Sequence, residues 1–571
     1  MKLDFVDSTQ AFTLAVTRGE ADITALMDEH GLDYSVPASG ASTAVLFTRD
    51  PYAAATFSKF ATPNAMAKVK HIVDEVAASW EKDHAAIFRC PADKELWPFQ
   101  RADLAYALRR RNTLIGDQPG LGKTPTAICF ANEIRAKRVL AIVPANIRLQ
   151  WCQKIREWST ELGWKGIIYP VLEGRRGVHP AADWTVISYD LARDPNVGAA
   201  LARNHYDLLI LDEAHYAKNI DSKRTHSIFG DHTGNYRVPR KDDSGHWDGL
   251  SYDTLFPALS SRADRILALT GTPLPNRPRE AYTLSRGLCF DAIDWMSEDR
   301  FKKRFNPSAK ITGTRGDGSI YTYNREEVGR ASELQNRLRG NFMTRHEKHG
   351  PNGVMGQLKL PVYDIVLVDE TAAVKQALEA ESMLDIDPED PDLFKGASDA
   401  VMGDIARVRH MMGLAIAPLA AEYCKMVLDG GEEKILVFAW HIGVLDILEK
   451  ALAKFLPLRI DGSVLPAKRQ MLVDRFRKEQ GCRVMIGNIQ SIGTGTDGLQ
   501  EVCGHAIFAE QSWVNGENQQ GVDRLDRGNQ TRTVLAEFLV APGSLGERIL
   551  SSALRKGKNT HKVLDNKSVW A

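Results

Sequence analysis

The stretch Asp117-Gln-Pro-Gly-Leu-Gly-Lys123-Thr124 decides how this chain is read. A short apolar run, Thr113 to Gly116, precedes it, and a helix-like run, Pro125 to Ala131, follows. A strand, a glycine-rich turn and then Lys-Thr at a helix start is the context of a phosphate-binding loop. Unpaired N–H groups at a helix start carry partial positive charge and cradle phosphate oxygens. Gly120 and Gly122 let the backbone curl around the anion without a Cβ clash. The octet Asp117, Gln118, Pro119, Gly120, Leu121, Gly122, Lys123 and Thr124 is therefore assigned to a nucleoside triphosphate. Lys123 would reach its terminal phosphates and Thr124 would ligate Mg2+. Asp117 departs from the usual pattern, which has a glycine at that position.

Upstream, Leu96-Trp-Pro-Phe99-Gln100-Arg101 opens a helical pattern, with Pro98 in the first turn. Phe99 and Gln100 stand at the distance of an adenine-reading element. A glutamine amide offers one donor and one acceptor, matching the amino group and N7 of adenine. Downstream, Tyr206 to Leu211 forms a central strand, and Asp212-Glu213-Ala214-His215 stands at its tip. One carboxylate there would hold Mg2+, assigned to Asp212. The other would align and deprotonate the attacking water, assigned to Glu213.

The 571 residues are too many for one ordinary core, so two to four domains are expected. Lysine plus arginine equals aspartate plus glutamate at 73 each, which excludes a wholly basic coat protein but leaves room for a local basic groove. Seven cysteines lie scattered with no CxxC pair, as reduced thiols of an intracellular protein without a zinc ribbon. The start Met1-Lys-Leu-Asp is not a signal peptide, no apolar run nears the length of a membrane span, and a cytoplasmic enzyme is expected.

Residues 1–92 read as a small α+β accessory domain, with a strand over Ala44–Thr48 and an amphipathic helix over Ala65–Trp80. It is a candidate site for a protein partner. Arg138 to Val143 reads as a buried parallel strand ended by Pro144, and Trp184 to Tyr189 as another strand with a polar end. Ser188 and Tyr189, at a strand tip, are candidates for touching a nucleic-acid backbone. Residues 228–255 read as a polar, aperiodic insertion containing His232 and His246, whose spacing matches no metal cage. Thr270-Gly271-Thr272 follows another strand and is suited to relaying the nucleotide state. The basic cluster Arg300 to Arg304 carries interleaved aromatics and is a phosphate-neutralising candidate.

A second set of strands begins with the run Glu433–Trp440, with further strands near Leu458, Arg483 and His505 and a closing one at Thr531–Leu539. Ser491 and Thr494 lie in the loop after the third of these, as nucleic-acid or coupling candidates. Gln519-Gln520-Gly-Val-Asp523-Arg524-Leu-Asp526-Arg527 puts two arginines three apart, on one face if helical. They suit a triphosphate held by another lobe, as an arginine finger supplied in cis. The alternative is a helix salt-bridged by Asp523 and Asp526. The tail 551–571 is basic.

In combination and order, DQPGLGKT, DEAH, TGTP and QGVDRLDRGNQ resemble superfamily-two helicases. The chain is similar more narrowly to the Swi/Snf-related double-stranded DNA translocases, where an acidic residue before the Gly-Leu-Gly-Lys-Thr is usual. Phe438-Ala-Trp-His, Arg459-Ile-Asp-Gly-Ser and Phe508-Ala-Glu-x-x-Trp513 look closest to HARP-type annealing helicases. The resemblance covers about residues 95 to 545. It implies an α/β fold of two RecA-like parallel-sheet lobes: 93–290 for the first, 291–425 for insertions and linker, 426–550 for the second. It also implies that Thr270 and Thr272 couple the lobes and that Gln520, Arg524 and Arg527 complete the ATP site. The expected activity is a DNA-dependent ATPase that moves on duplex or forked DNA and remodels or reanneals forks. Its rivals are an RNA or single-strand unwinding helicase and a nucleotide-gated clamp. Pro119, Pro125 and Thr344-Arg345-His346-Glu347-Lys348, which matches the family's basic pair only loosely, are departures. The compact size points to a prokaryotic or viral setting.

Overall fold

A computed structural model describes residues 1–17, 19–30, 32–35, 42–161, 166–241, 247–274, 277–314, 320–350, 353–384, 399–492, 498–512, 515–548 and 550. The chain begins with an antiparallel sheet of β1 (Lys2–Val6), β2 (Ala11–Thr17), β3 (Asp33–Ser35) and β4 (Thr43–Thr48), in the order β1-β2-β4-β3. The helix Pro63–Ala78 covers it, capped by Thr62, whose side chain accepts from the Ala65 N–H. Leu3, Phe12, Leu14, Val16, Leu46 and Val69 form the small core between them.

The first parallel sheet contains β5 (Asn112–Ile115), β6 (Val139–Val143), β7 (Ile168–Pro170), β8 (Trp184–Ser188) and β9 (Tyr206–Asp212). The 228–255 stretch is not an aperiodic loop: β10 (Asn235–Lys241) and β11 (Trp247–Pro257) pair as an antiparallel hairpin. Its Tyr236 and Phe256 rings are buried in the lobe's core. His246 lies outside the described residues, and His232 joins no metal-ligating cluster among them. After β12 (Ala263–Leu269) comes a second hairpin, β13 (Ser308–Thr314) with β14 (Ile320–Glu326). A two-residue strand, β15 (Met343–Thr344), then returns to the main sheet, whose order is β15-β5-β12-β9-β6-β8-β7, all parallel.

The second parallel sheet is β16-β21-β20-β17-β19-β18. Its strands are β16 (Val362–Leu367), β17 (Ile435–Ala439), β18 (Leu458–Ile460), β19 (Val484–Asn488), β20 (His505–Phe508) and β21 (Leu535–Val540). Residues 291–425 are therefore divided between the lobes, with β15 in the first sheet and β16 in the second. The helix stretch Gly403–Asp429, of mean hydropathy 1.4, is long and apolar enough to cross a membrane by composition alone. It instead packs Ile416, Ala417, Ala420, Ala421, Cys424 and Leu428 into the core of the second lobe. Thr494, Trp513 and the basic stretch 551–571 lie outside the described residues.

The N-terminal unit is fastened to the first lobe through the helix Ala331–Asn341. Arg337, fully buried, donates to Glu333 at 2.8 Å and to Asp50 at 2.5 Å, and Arg304 binds the same two acids. Burial raises the Glu333 carboxyl, reinforced by the nearby Asp50 charge. Burial alone would also raise Asp50, but Arg337 and Arg304 hold it below its ordinary value. Arg304 is thus consumed by structure and Lys302 pairs at the surface with Glu298, while Arg300 and Lys303 of the 300–304 cluster are exposed. Removing one partner of a buried ion pair strands the others without compensation. Arg337→Ala is expected to destabilise the chain by about 3–5 kcal/mol in urea unfolding, and a loss under about 1 kcal/mol would count against this network as the fastening.

Candidate functional site

Parallel strands present their C-terminal tips on one edge of a sheet, and ligands sit outside that edge. Here β15, β5, β12 and β9 are neighbours, so the segments after them meet: 345–349, 116–124, 270–272 and 212–215. Backbone bonds tie the tips, with Thr270 N–H to Ile115 O at 3.1 Å and Gly116 N–H to Thr344 O at 2.8 Å.

The loop turns through Gly120 at φ +89° and Gly122 at φ +73°, and the helix Lys123–Glu133 starts directly after. Pro125 falls in its first turn, where the missing N–H costs nothing. Lys123 Nζ folds over the loop, donating to Asp117 O at 2.7 Å and Gln118 O at 3.3 Å. The Gln100 amide is engaged by backbone groups of the loop and of its own helix start. Its Nε2 donates to Leu121 O at 3.0 Å and Gly122 O at 3.3 Å, and its Oε1 accepts from the Trp97 N–H at 2.9 Å. A Cβ on Gly122 would lie 2.4 Å from that Nε2, so Gln100 braces the loop. Phe99 packs against Leu121. Beside it, Lys82, Trp97, Phe99, Val354, Met355 and Gln357 line a cleft of about 430 Å³.

Asp212 is held by the Trp151 Nε1–H at 2.7 Å and the Glu213 N–H at 3.0 Å. Burial, with the neighbouring Glu213 charge, pushes its carboxyl up to about 7. Glu213 sits in the left-handed region at φ +51°, a costly conformation for this residue. Burial alone would raise it too, but the His215 hydrogen bond, Lys123 and Arg524 together hold it below its ordinary value. His215 was not singled out from sequence, yet it links two motifs. Its Nδ1 is 3.3 Å from Glu213 Oε2, 3.0 Å from Thr270 Oγ1 and 3.4 Å from Thr272 Oγ1. Pro119 packs onto Gly271, where a Cβ would sit 2.6 Å from its ring.

Ser188 and Tyr189 are buried, and their side chains face inward. Ser188 caps a short helix, and the Tyr189 hydroxyl donates to Asp212 O at 2.8 Å. They are not surface contacts for nucleic acid. Ser491 is buried as well, its carbonyl accepting from Arg469 at 3.2 Å.

The second lobe reaches this site with its arginine segment. The helix Asn515–Val522 carries Gln520 but ends before Arg524 and Arg527, which lie on tight turns rather than on a helix face. A Cβ on Gly120 would lie 3.0 Å from Arg527 Cγ, so this arginine packs directly on the phosphate loop. Asp523 and Asp526 are paired across the lobes. Lys348 Nζ lies 2.6 Å from Asp523 Oδ1 and 2.6 Å from Asp526 Oδ2, and His349 Nε2 lies 2.9 Å from Asp526. Lys348 is 3% exposed, so the contact is dry. Its own N–H donates to Gln118 Oε1 at 2.8 Å, so one residue joins the loop to the arginine segment. In the sequence it is marked only as the end of Thr344–Lys348, the loose match to a basic pair.

Residues 63–238 match the family model for the SNF2-related domain. The DNA annealing helicase and endonuclease ZRANB3 of Bos taurus is 28% identical over 510 residues, 87% of this chain and 43% of that protein. The SWI/SNF-related matrix-associated actin-dependent regulator of chromatin subfamily A-like protein 1 of Xenopus tropicalis is 28% identical over 463 residues, 79% of this chain and 43% of that protein. The Sulfolobus solfataricus SWI2/SNF2 ATPase core in complex with dsDNA matches at TM-score 0.36 and 15% identity, over 83% of this chain and 97% of that one. That superposition is too loose to bear on the fold, which rests on the two sheets themselves. Two parallel-sheet lobes closing on a phosphate loop are an arrangement that resembles the helicase-like proteins of superfamily two. Within that class the chain resembles the Swi/Snf-related proteins, on the side of the HARP-type annealing helicases. It spans less than half the length of these two relatives, at 43% of each. These relatives are animal proteins and lend no support to a prokaryotic or viral setting.

Lys348→Met is expected to leave Asp523 buried without a cation and Asp526 with His349 alone, at a cost of about 3–5 kcal/mol to the lobe contact. Amide exchange of residues 523–530 in the nucleotide-free chain should then rise toward that of surface loops. Unchanged exchange would show that the lobes are held by something else.

Proposed function

We propose that this chain is a DNA-dependent ATPase that moves along duplex DNA, with fork remodelling or strand reannealing as its task. The observation that carries the reading is the packing of Arg527, from the second lobe, on Gly120 of the first lobe's phosphate loop, with Arg524 near enough for its charge to act on Glu213. Catalysis of phosphoryl transfer is mostly positioning and charge stabilisation. The loop amides and Lys123 would take the β- and γ-phosphates, with Lys123 leaving its two loop carbonyls. Glu213, held ionised, would orient the attacking water and accept its proton. Arg524 and Arg527 would spread their charge over the γ-phosphoryl oxygens, with Gln520 behind them. Thr124 and Asp212 would hold a divalent cation, since a hydroxyl and a carboxylate are the hard oxygen donors that Mg2+ takes. When bound, Mg2+ would neutralise charge on the phosphate oxygens.

The aromatic cleft over Trp97 and Phe99 suits a purine better than the saturated Gln100 amide does. Gln100 then acts by shaping Gly122. Thr270 and Thr272 would report the nucleotide state through His215, whose ring touches both hydroxyls and the Glu213 carboxylate. Duplex DNA as the track is supported by the resemblance, and the relative named above as an annealing helicase favours strand reannealing within it.

Steady-state ATPase with duplex, single-stranded DNA and RNA tests the track, and the largest stimulation is expected from duplex. Stimulation by RNA alone would favour the unwinding-helicase alternative. Arg527→Ala is expected to keep ATP binding within about threefold while turnover falls about 10³–10⁵-fold. Near-normal turnover would remove the finger assignment. Glu213→Gln is expected to bind ATP and fail to hydrolyse it in a single-turnover assay.

A further inference from the structure

We propose that His346 is a positioning residue through which the N-terminal unit holds the phosphate loop in its binding shape. The inference rests on the nucleotide-site reading above and adds a control to it.

The ring is buried, and both of its nitrogens face acceptors. Nε2 lies 2.8 Å from the Glu81 carbonyl oxygen, which can only accept, so Nε2 carries a hydrogen. Nδ1 lies 3.0 Å from Asp117 Oδ1 and 3.3 Å from Asp103 Oδ1, so it carries one too. The geometry therefore describes an imidazolium between two buried carboxyls. The His346 backbone adds two further bonds to the loop: its N–H to Asp117 Oδ1 at 2.8 Å, and its carbonyl from the Gln118 N–H at 3.1 Å. Charge-assisted bonds of this kind are the strong class.

The other end of the contact belongs to the N-terminal unit. Glu81 follows the helix Pro63–Ala78, and its neighbours bind the same region. The Ser79 carbonyl accepts from Arg339 at 3.1 Å and from Thr344 Oγ1 at 3.4 Å, and Lys82 Nζ reaches Gly353 O at 3.4 Å. A displacement of the exit segment 79–82 would thus pull on His346, and His346 on Asp117 at the head of the loop.

Asp103 completes the arrangement from the helix Pro98–Leu108. It is fully buried, its Oδ1 accepts from Thr344 Oγ1 at 2.9 Å, and its Oδ2 has no hydrogen-bond partner among the described residues. One proton on Asp103 makes the group neutral overall. Burial, with the Asp117 charge, raises Asp103 to about 7, and burial notwithstanding, the Asp103 and Asp117 charges raise His346 well above its ordinary value. The charged groups around the ring are Asp103 and Asp117, with Lys123 acting on Asp117 from the following helix and Arg345 adjacent in sequence. Asp103, Asp117 and His346 also have the composition of a metal cluster. A cation there would need the Nδ1 lone pair, which the hydrogen-bond geometry assigns to a proton.

The test uses the full chain. His346→Gln is expected to raise the KM for ATP about tenfold, a loss of about 1.4 kcal/mol, with kcat changed less than about threefold. His346→Arg, which keeps a cation able to donate at both ends, should restore KM. In the wild type, ADP binding should lower amide exchange at residues 79–84, and in His346→Gln this protection should vanish. Asp103 has a folded value above its unfolded one, so its stabilising contribution is full below about pH 4 and lost as pH rises to about 7. Asp103→Asn, which cannot ionise, should therefore gain on the wild type in urea unfolding across that window and level off above it. An unchanged KM in His346→Gln, in a chain that does hydrolyse ATP, would overturn this inference and leave the ATPase reading intact. A failure of His346→Arg to restore KM despite a wild-type melting temperature would overturn it as well. So would a fall in wild-type melting temperature on EDTA treatment that Zn2+ reverses and His346→Gln lacks. No nucleotide binding by the wild type would instead remove the ATPase reading itself.

Discussion

The ammonium of Lys348, enclosed by Asp523 and Asp526, is the constraint on which the cleft depends. Three ionised groups removed from water are tolerable only while they stay together. Two of them belong to the second lobe and the third leaves the first lobe beside its phosphate loop. The lobes therefore cannot separate at this point without exposing or stranding charge. Arg527 and Arg524 flank these aspartates in sequence, so the same contact fixes where the guanidiniums stand relative to Gly120 and Glu213.

Sheet order explains why so many groups meet in a small volume. With β5 between β15 and β12, and β9 next, four consecutive tips open on one crevice. The His215 ring couples two of these tips, and Pro119 against Gly271 couples another pair. A shift of one tip is transmitted by packing and hydrogen bonds to its neighbours, which is what a site that must report its nucleotide requires. The N-terminal unit joins the same system through its exit segment, and the buried Asp50, Glu333 and Arg337 group keeps that segment in place.

Much of this was legible in the chain. The phosphate loop, the DEAH tip and the core strands carry their chemistry locally, in glycines, carboxylates and apolar runs. What escaped did so for physical reasons. β15 has two residues, too few for any periodicity, and Lys348 finds its partner 175 residues away. Ser188 and Tyr189 are polar at a strand tip, and polarity looks the same whether a hydroxyl faces a ligand or caps a helix inside. Gln100 has the right spacing and chemistry for a base, but Gly122 leaves a gap that only its amide fills. The arginines are three apart, yet the helix stops at Val522 and the turns that follow place them singly. The hairpin at 235–257 was hidden because its polar residues pair with one another, as Arg240 with Asp253.

The most direct measurement of the central claim is an experimental structure of the chain with a non-hydrolysable ATP analogue and duplex DNA. The account predicts Lys123 and a guanidinium from Arg524 or Arg527 on the same γ-phosphate, reached from opposite walls. A nucleotide touched by one lobe alone, with the arginine segment turned away from it, would contradict the account.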